Sequence, residues 1–257
     1  MAVFEALERA LKKISVDFYL IGAQSRDVWT NHIDLKGKRT TADIDYLVYV
    51  KDHETWKELI NYLKIEERFK QDEKLPYRFY KEGIIDLIPF GGIEQDGEII
   101  LENPTTELSV VGCKEVTLDE SITEGNFKII TLPGLCILKL VAYYEKPDIR
   151  AKDFDDYLFL VINYHDIAGE ELFMGNHDDL IADDFELRAA SARMLGRHLA
   201  PVLNKNDKLK NKIISVLEDK LKGFSHYEID QMYEADKEDG TVLVLKLVSE
   251  TIKGIND

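Results

Sequence analysis

Asp43 and Asp45 flank Ile44 inside an apolar run that continues to Val50. Strand alternation sends both carboxylates to one face and Ile44 to the other. Asp is a poor strand former, and two like charges side by side repel. A bound cation would remove that cost, so the pair points to metal-assisted chemistry on a phosphate. Asp86 is a lone acid in the apolar run IIDLIPF. An ionised carboxylate in such surroundings needs a partner. A structural ion pair would supply one; a role as third metal ligand beside Asp43 and Asp45 would supply another.

Other residues could handle the anionic side of that chemistry. Gly22 follows the short apolar run Phe18–Ile21 and permits a sharp strand-to-helix turn where a side chain would crowd a ligand. Ala23, Gln24 and Ser25 then open a helix whose first N–H groups have no intrahelical acceptor, a natural anion site. Ser25 could add a hydroxyl donor there or simply cap the helix. Lys36, Lys38 and Arg39 lie in the polar loop 31–41 just before the paired aspartates. They are either a solvated surface or a counter-charge for polyphosphate. Lys139 sits among apolar neighbours, where it would snorkel to the surface or reach a phosphate. Asp153, Asp155 and Asp156 fall in a helix's first turn, which the helix dipole favours without any function. His177, Asp178 and Asp179 could ligate a metal. A solvated loop is the favoured reading, because no matching cluster stands nearby in sequence.

The elements that must position these groups follow from periodicity. Phe4, Leu7, Leu11 and Ile14 mark an amphipathic helix over 2–14. Strands are expected at 18–21 and up to Val50, with a helix at 54–63 between that strand and the next ones. Strands at 78–80 and 84–88 join through a turn at Glu82-Gly83. Further short strands are expected at 99–101, 109–111 and 115–118, and 127–130 leads into a new element. From Leu132 the pattern becomes helical, with Pro133 near the helix start and a break at Lys146-Pro147-Asp148. A second helix starts near Arg150. An acidic connection covers 165–183, and helices follow at about 184–199, 207–222 and 242–252.

The chain has 257 residues, 33 basic and 49 acidic, for a net charge of −16. The excess is even: 17 basic against 25 acidic residues in 1–128, and 16 against 24 in 129–257. Neither half reads as a basic nucleic-acid-binding module, so non-specific DNA binding is not expected. Cys113 and Cys136 lack CxxC spacing and lie in apolar surroundings, which suggests buried thiols in a reducing compartment. The first residues lack a secretory h-region, and no run reaches the ~20 apolar residues of a membrane span. A cytoplasmic protein that does not meet a membrane is expected.

The ordered features resemble the nucleotidyltransferase-fold superfamily, to which DNA polymerase beta is related in architecture. The matching residues are Gly22-Ala23 with Ser25, then Asp43 and Asp45, then Asp86. Arg39-Thr40-Thr41-Ala42-Asp43-Ile44-Asp45 looks like the Arg-x-x-x-Asp-x-Asp run of the abortive-infection and type IV toxin–antitoxin branch. LCILKLVA with Lys139 is similar to that branch, as is RAKDFDDYLFLV with Arg150, Lys152, Asp153 and Asp156. The resemblance covers about 18–164. Ala23 departs from it, standing where the family usually has Gly or Ser.

The resemblance implies an α+β fold: a mixed-sheet catalytic domain over 1–130 and a helical domain over 131–257 that contributes to the active-site cleft. It implies Mg²⁺-dependent transfer of a nucleotide from an NTP such as ATP, with pyrophosphate release. Two Mg²⁺ ions about 4 Å apart would bridge entering and leaving oxygens. Asp43 and Asp45 would hold the ion on the triphosphate; Asp86 would help hold the second and accept the acceptor's proton. Gly22 and Ser25 would cradle phosphate oxygens. Lys139, with Arg39, Arg150 or Lys152, would offset charge on the leaving pyrophosphate. The acceptor would be tRNA, a protein hydroxyl or a small molecule, and a toxin would have a cognate antitoxin. A non-catalytic nucleotide-binding module with the same fold is the alternative. A metal-dependent phosphohydrolase is a third reading, but the chain lacks the His-rich ligand spacing common in such enzymes.

Overall fold

The computed structural model describes residues 2–31, 43–117, 121–124, 127–181, 184–222 and 237–257. The chain divides into two compact units near residue 135. The first opens with α1 (Ala2–Ile14), β1 (Phe18–Ile21) and most of α2 (Gly22–Thr30), whose last two residues, Trp29 and Thr30, fall in the second unit. Next come β2 (Asp43–Val50), α3 (His53–Ile65), β3 (Lys70–Gln71), β4 (Arg78–Tyr80) and β5 (Ile84–Gly91). A hairpin of β6 (Glu98–Leu101) and β7 (Thr106–Ser109) forms a separate small sheet. The unit continues with α4 (Cys113–Thr117), β8 (Ser121–Glu124) and β9 (Phe127–Ile130).

Seven strands make a mixed sheet in the order β3-β4-β5-β2-β1-β9-β8. β2 runs antiparallel to β1 and parallel to β5. β1 is also parallel to β9. Tyr46, Val48 and Val50 share one face of β2 and are buried. Tyr46 packs edge-on against Phe18 of β1, with ring centroids 5.9 Å apart. Their burial fixes the strand's register, because a one-residue slip would bring the aspartates to this face. Asp52 ends β2's exit by capping α3: its carboxylate accepts from the Thr55 backbone N–H and hydroxyl, both at 2.7 Å.

α1 is tied to the loop after α3 by Arg9, whose Nε and Nη2 donate to Glu67 at 2.7 and 2.6 Å. Lys81 also reaches the Glu67 carbonyl and carboxylate. The Arg9 hydrogen bond, followed by the nearby cations, holds the Glu67 carboxyl below its ordinary value despite partial burial. A depressed carboxyl contributes stability above its unfolded value, and that contribution is lost as pH falls through the folded one. Glu67→Gln is therefore expected to weaken the protein at neutral pH. It should flatten the acid limb, with a midpoint shift of less than about one pH unit in acid titrations followed by circular dichroism.

The second unit is helical. α5 (Leu132–Glu145) crosses into it and is followed by α6 (Pro147–Ile162) and α7 (Tyr164–Ile167). Short 3₁₀ turns at Gly169–Phe173 and Asp178–Leu180 lead to α8 (Leu187–Leu203) and α9 (Asp207–Lys222), and α10 (Lys237–Asn256) closes the chain. α8 and α10 approach closely at two glycines. A Cβ on Gly196 would lie 2.2 Å from the Thr251 carbonyl oxygen, and one on Gly254 2.0 Å from that of Arg193. The architecture is α+β, a mixed sheet followed by helices.

Several local expectations change. Residues 113–117 are helical, where 115–118 reads as a strand. Cys113 and Val116 share the buried side of that turn, and the Thr117 hydroxyl donates to the Cys113 carbonyl at 2.8 Å. An apolar pattern this short fits either period. β7 lies at Thr106–Ser109 rather than 109–111, and the connection after residue 164 is ordered into turns.

Among the described residues no helix is long and apolar enough to cross a membrane. Cys113 and Cys136 are both buried and in no disulfide. Burial pushes the Cys136 thiol up to about 12. Iodoacetamide at pH 8 is therefore expected to leave both thiols unmodified in the native protein and to label both in denaturant, as read by intact mass.

Candidate active site

Four neighbouring strands carry the acidic site, and their register builds it. Ile21 pairs with Asp45, Asp45 with Asp86, and Asp86 with Arg78. Paired residues on adjacent strands face the same way, so these four form one row across β1, β2, β5 and β4. Asp43 lies two residues before Asp45 on the same face. One carboxylate oxygen from each of Asp43, Asp45 and Asp86 falls within 4.8 Å of the others. Asp43 and Asp45 are half-buried, whereas Asp86 is only 7% exposed.

Gly22 ends the row at β1. Its φ is +69°, a left-handed conformation that strains other residues. A Cβ there would stand 2.4 Å from Asp45 Oδ2. The position thus needs glycine for backbone shape and for room beside the carboxylate.

The partner that Asp86 requires is Arg78. Its Nε donates to Oδ1 and its Nη2 to Oδ2, each at 2.7 Å, a two-pronged clasp. Nη2 also lies 3.8 Å from Asp43 Oδ2. The bonds to Asp86 raise the guanidinium above its already high value. Sequence reasoning did not single out Arg78. The signal was present: a tight β4–β5 hairpin about Glu82-Gly83 places residue 78 opposite residue 86.

Ser25 is fully buried, and its hydroxyl lies 3.5 Å from the Ile130 carbonyl oxygen. In this conformation it stitches α2 to β9 and is closed to a ligand. Arg39, with Lys36 and Lys38, lies outside the described residues.

Lys139 and Lys152 belong to the second unit. Lys139 Nζ donates to Asp153 Oδ1 at 2.9 Å and to Asp156 Oδ2 at 2.7 Å, with 18% of its side chain exposed. Arg150 Nε adds a 2.8 Å contact to Asp153. Burial alone would lower the Lys139 ammonium, but Asp156 and Asp153 outweigh it and hold it above its usual value. Lys139 therefore does not snorkel; it joins α5 to α6 through an ionic cluster. Lys152, between these partners in sequence, is exposed.

No family model matches the chain, and no curated protein matches it significantly. Among solved structures, the antibiotic-resistance factor ANT(2'')-Ia aligns over 62% of this chain and 83% of its own, at 10% identity and a TM-score of 0.37. A nucleotidyltransferase candidate from H. pylori aligns over 98% of this chain and 93% of its own, at 14% identity and a TM-score of 0.40. Both likenesses are too slight to carry a function.

Proposed function

We propose that this protein is a metal-dependent nucleotidyltransferase that moves a nucleotide from an NTP to an acceptor and releases pyrophosphate. The observation that carries the reading is the strand row itself: three carboxylates converge beside a glycine whose missing side chain leaves room at Asp45. Hard carboxylate oxygens within 4.8 Å of one another fit Mg²⁺. Asp43 and Asp45 are the residues that would hold it. Bound Mg²⁺ would supply charge neutralisation on the triphosphate oxygens.

The chain's own residues do the rest. Gly22 keeps the backbone at the end of β1 open to a phosphate. Asp86, once clear of Arg78, offers an oxygen to a second cation or to the acceptor's proton. While Arg78 holds it, both oxygens of Asp86 are engaged, so the site as arranged fits one ion directly. Arg39 and Lys152 remain candidates for phosphate contacts, and Lys139 would have to leave Asp153 and Asp156 to make one.

The motif resemblance suggests tRNA, a protein hydroxyl or a small molecule as acceptor, and a toxin role with an antitoxin partner. The clasp on Asp86 favours one competing reading, a nucleotide-binding module in which Arg78 neutralises Asp86 internally. Labelled NTPs, offered with total tRNA, the protein itself and a metabolite extract, separate the two. Label transfer with pyrophosphate release, abolished in Asp43→Asn/Asp45→Asn, supports the transferase and names its acceptor class. NTP binding without transfer to any of the three acceptors supports the module.

A further inference from the structure

We propose that Glu171, His177 and His198 form a second metal site in the helical unit, suited to a borderline transition ion such as Zn²⁺. Glu171 lies in the first 3₁₀ turn, His177 just before the second, and His198 on α8. One ligand atom from each lies within 4.8 Å of the others. His198 Nε2 is 3.0 Å from Glu171 Oε1. Two ligands of a tetrahedral zinc with bonds of 2.0–2.1 Å lie roughly 3.3 Å apart, so this edge is nearly the right length before any ion arrives.

The surroundings suit a metal. The other nitrogen of His198, Nδ1, is 2.7 Å from the Tyr164 hydroxyl. A ligating imidazole is usually held this way through its second nitrogen, which fixes the ring and its tautomer. When Tyr164 accepts the Nδ1 proton, the Nε2 lone pair faces Glu171, an arrangement that calls for a cation between them. His177 is 6% exposed although it sits in a connecting loop, and its ring packs edge-on to His198 with centroids 5.7 Å apart. The loop reading from sequence misses this because the other two ligands come from six residues earlier and 21 residues later.

A cation beside His177 does not oppose the site. Arg197 Nη1 lies 3.4 Å from His177 Nδ1. Its charge is matched by Asp179, at 2.8 Å from Nη1, and by Asp257, at 2.6 Å from Nε. A metal ligated by His177 would replace only the long contact. Two imidazoles and a carboxylate are a zinc-type donor set, unlike the all-carboxylate cluster of the sheet, which suits Mg²⁺. Three protein ligands leave a fourth position for water, and the Glu171 side chain is 45% exposed.

The rival is a relay without metal, in which Tyr164 donates to His198 and His198 donates to Glu171. That relay has no use for His177, so the two readings part there. The test does not depend on nucleotide transfer. Metal-free full-length protein carrying Asp43→Asn/Asp45→Asn, which disables the carboxylate site, is titrated with Zn²⁺ by calorimetry. It is also titrated with Co²⁺ by visible absorption. One equivalent of Zn²⁺ and tetrahedral Co²⁺ bands are expected. Adding His177→Ala, which truncates a loop side chain, should weaken Zn²⁺ binding at least about 100-fold, and Tyr164→Phe about 10-fold. No Zn²⁺ uptake, or equal uptake with and without His177, overturns the proposal.

Discussion

Gly22→Ala is expected to lower the proposed nucleotide transfer about 100-fold, the cost of displacing a reacting group by about 1 Å. Two independent effects act at that one atom. The backbone is left-handed there, with φ at +69°, which penalises any side chain by about 1–2 kcal/mol. The new methyl would also start 2.4 Å from Asp45 Oδ2, so the carboxylate or the strand end must move. Gly83→Ala is the control, since nothing lies within 4 Å of a Cβ there. Steady-state kinetics on both variants, with folding checked by circular dichroism, decides the matter. A folded Gly22→Ala enzyme with wild-type kcat/KM would show that the Asp45 carboxylate is not positioned for the reaction.

Arg78→Gln is expected to have the larger effect on stability. It removes two charge-assisted hydrogen bonds from Asp86 and leaves a buried carboxylate beside two others. Breaking a buried pair on one side costs about 3–5 kcal/mol; the lower end applies, because 25% of the Arg78 side chain remains exposed. Metal offsets most of this loss. Without the guanidinium, the three acids should bind a divalent cation more tightly, and saturation at about 100 times Kd returns about 2.7 kcal/mol. Melting temperatures with and without Mn²⁺, together with Mn²⁺ stoichiometry by EPR, test this. The variant should melt well below wild type without metal and gain more from Mn²⁺. Equal melting of the two proteins in metal-free buffer would count against Arg78 as the partner that neutralises the site.

What the sequence made legible was set by local rules. Alternation at Asp43, Ile44 and Asp45 places the two acids on one face, and the isolation of Asp86 among apolar residues demands a partner. Both deductions use only neighbours along the chain. The identity of that partner required the β4–β5 register, which a short turn implies but periodicity does not state. At Ser25 the local sequence fits a ligand role and a structural role equally well, and only the packing of α2 on β9 closes the first. The apolar neighbours of Lys139 along the chain suggest a cation reaching for water or phosphate; its partners, 14 and 17 residues later, turn it inward. The 113–117 turn and the His177 cluster escaped for opposite reasons. The first is too short for its period to be distinguished, and the second gathers residues that no local pattern connects.

The strand order also bears on how the chain is made. Everything in the acidic row, from Gly22 to Asp86, has been synthesised once β5 is complete. β1 takes β2 as one neighbour at that stage, but its other neighbour is β9, more than a hundred residues downstream. Until Phe127–Ile130 emerges from the ribosome, the strand beside the acids has an open hydrogen-bonding edge, the kind of edge that pairs with other chains. The nascent protein therefore passes through a stage in which its three clustered carboxylates are present while the sheet that holds them is still unclosed. During that interval the β1 edge, which β9 later covers, is where a wrong strand would pair.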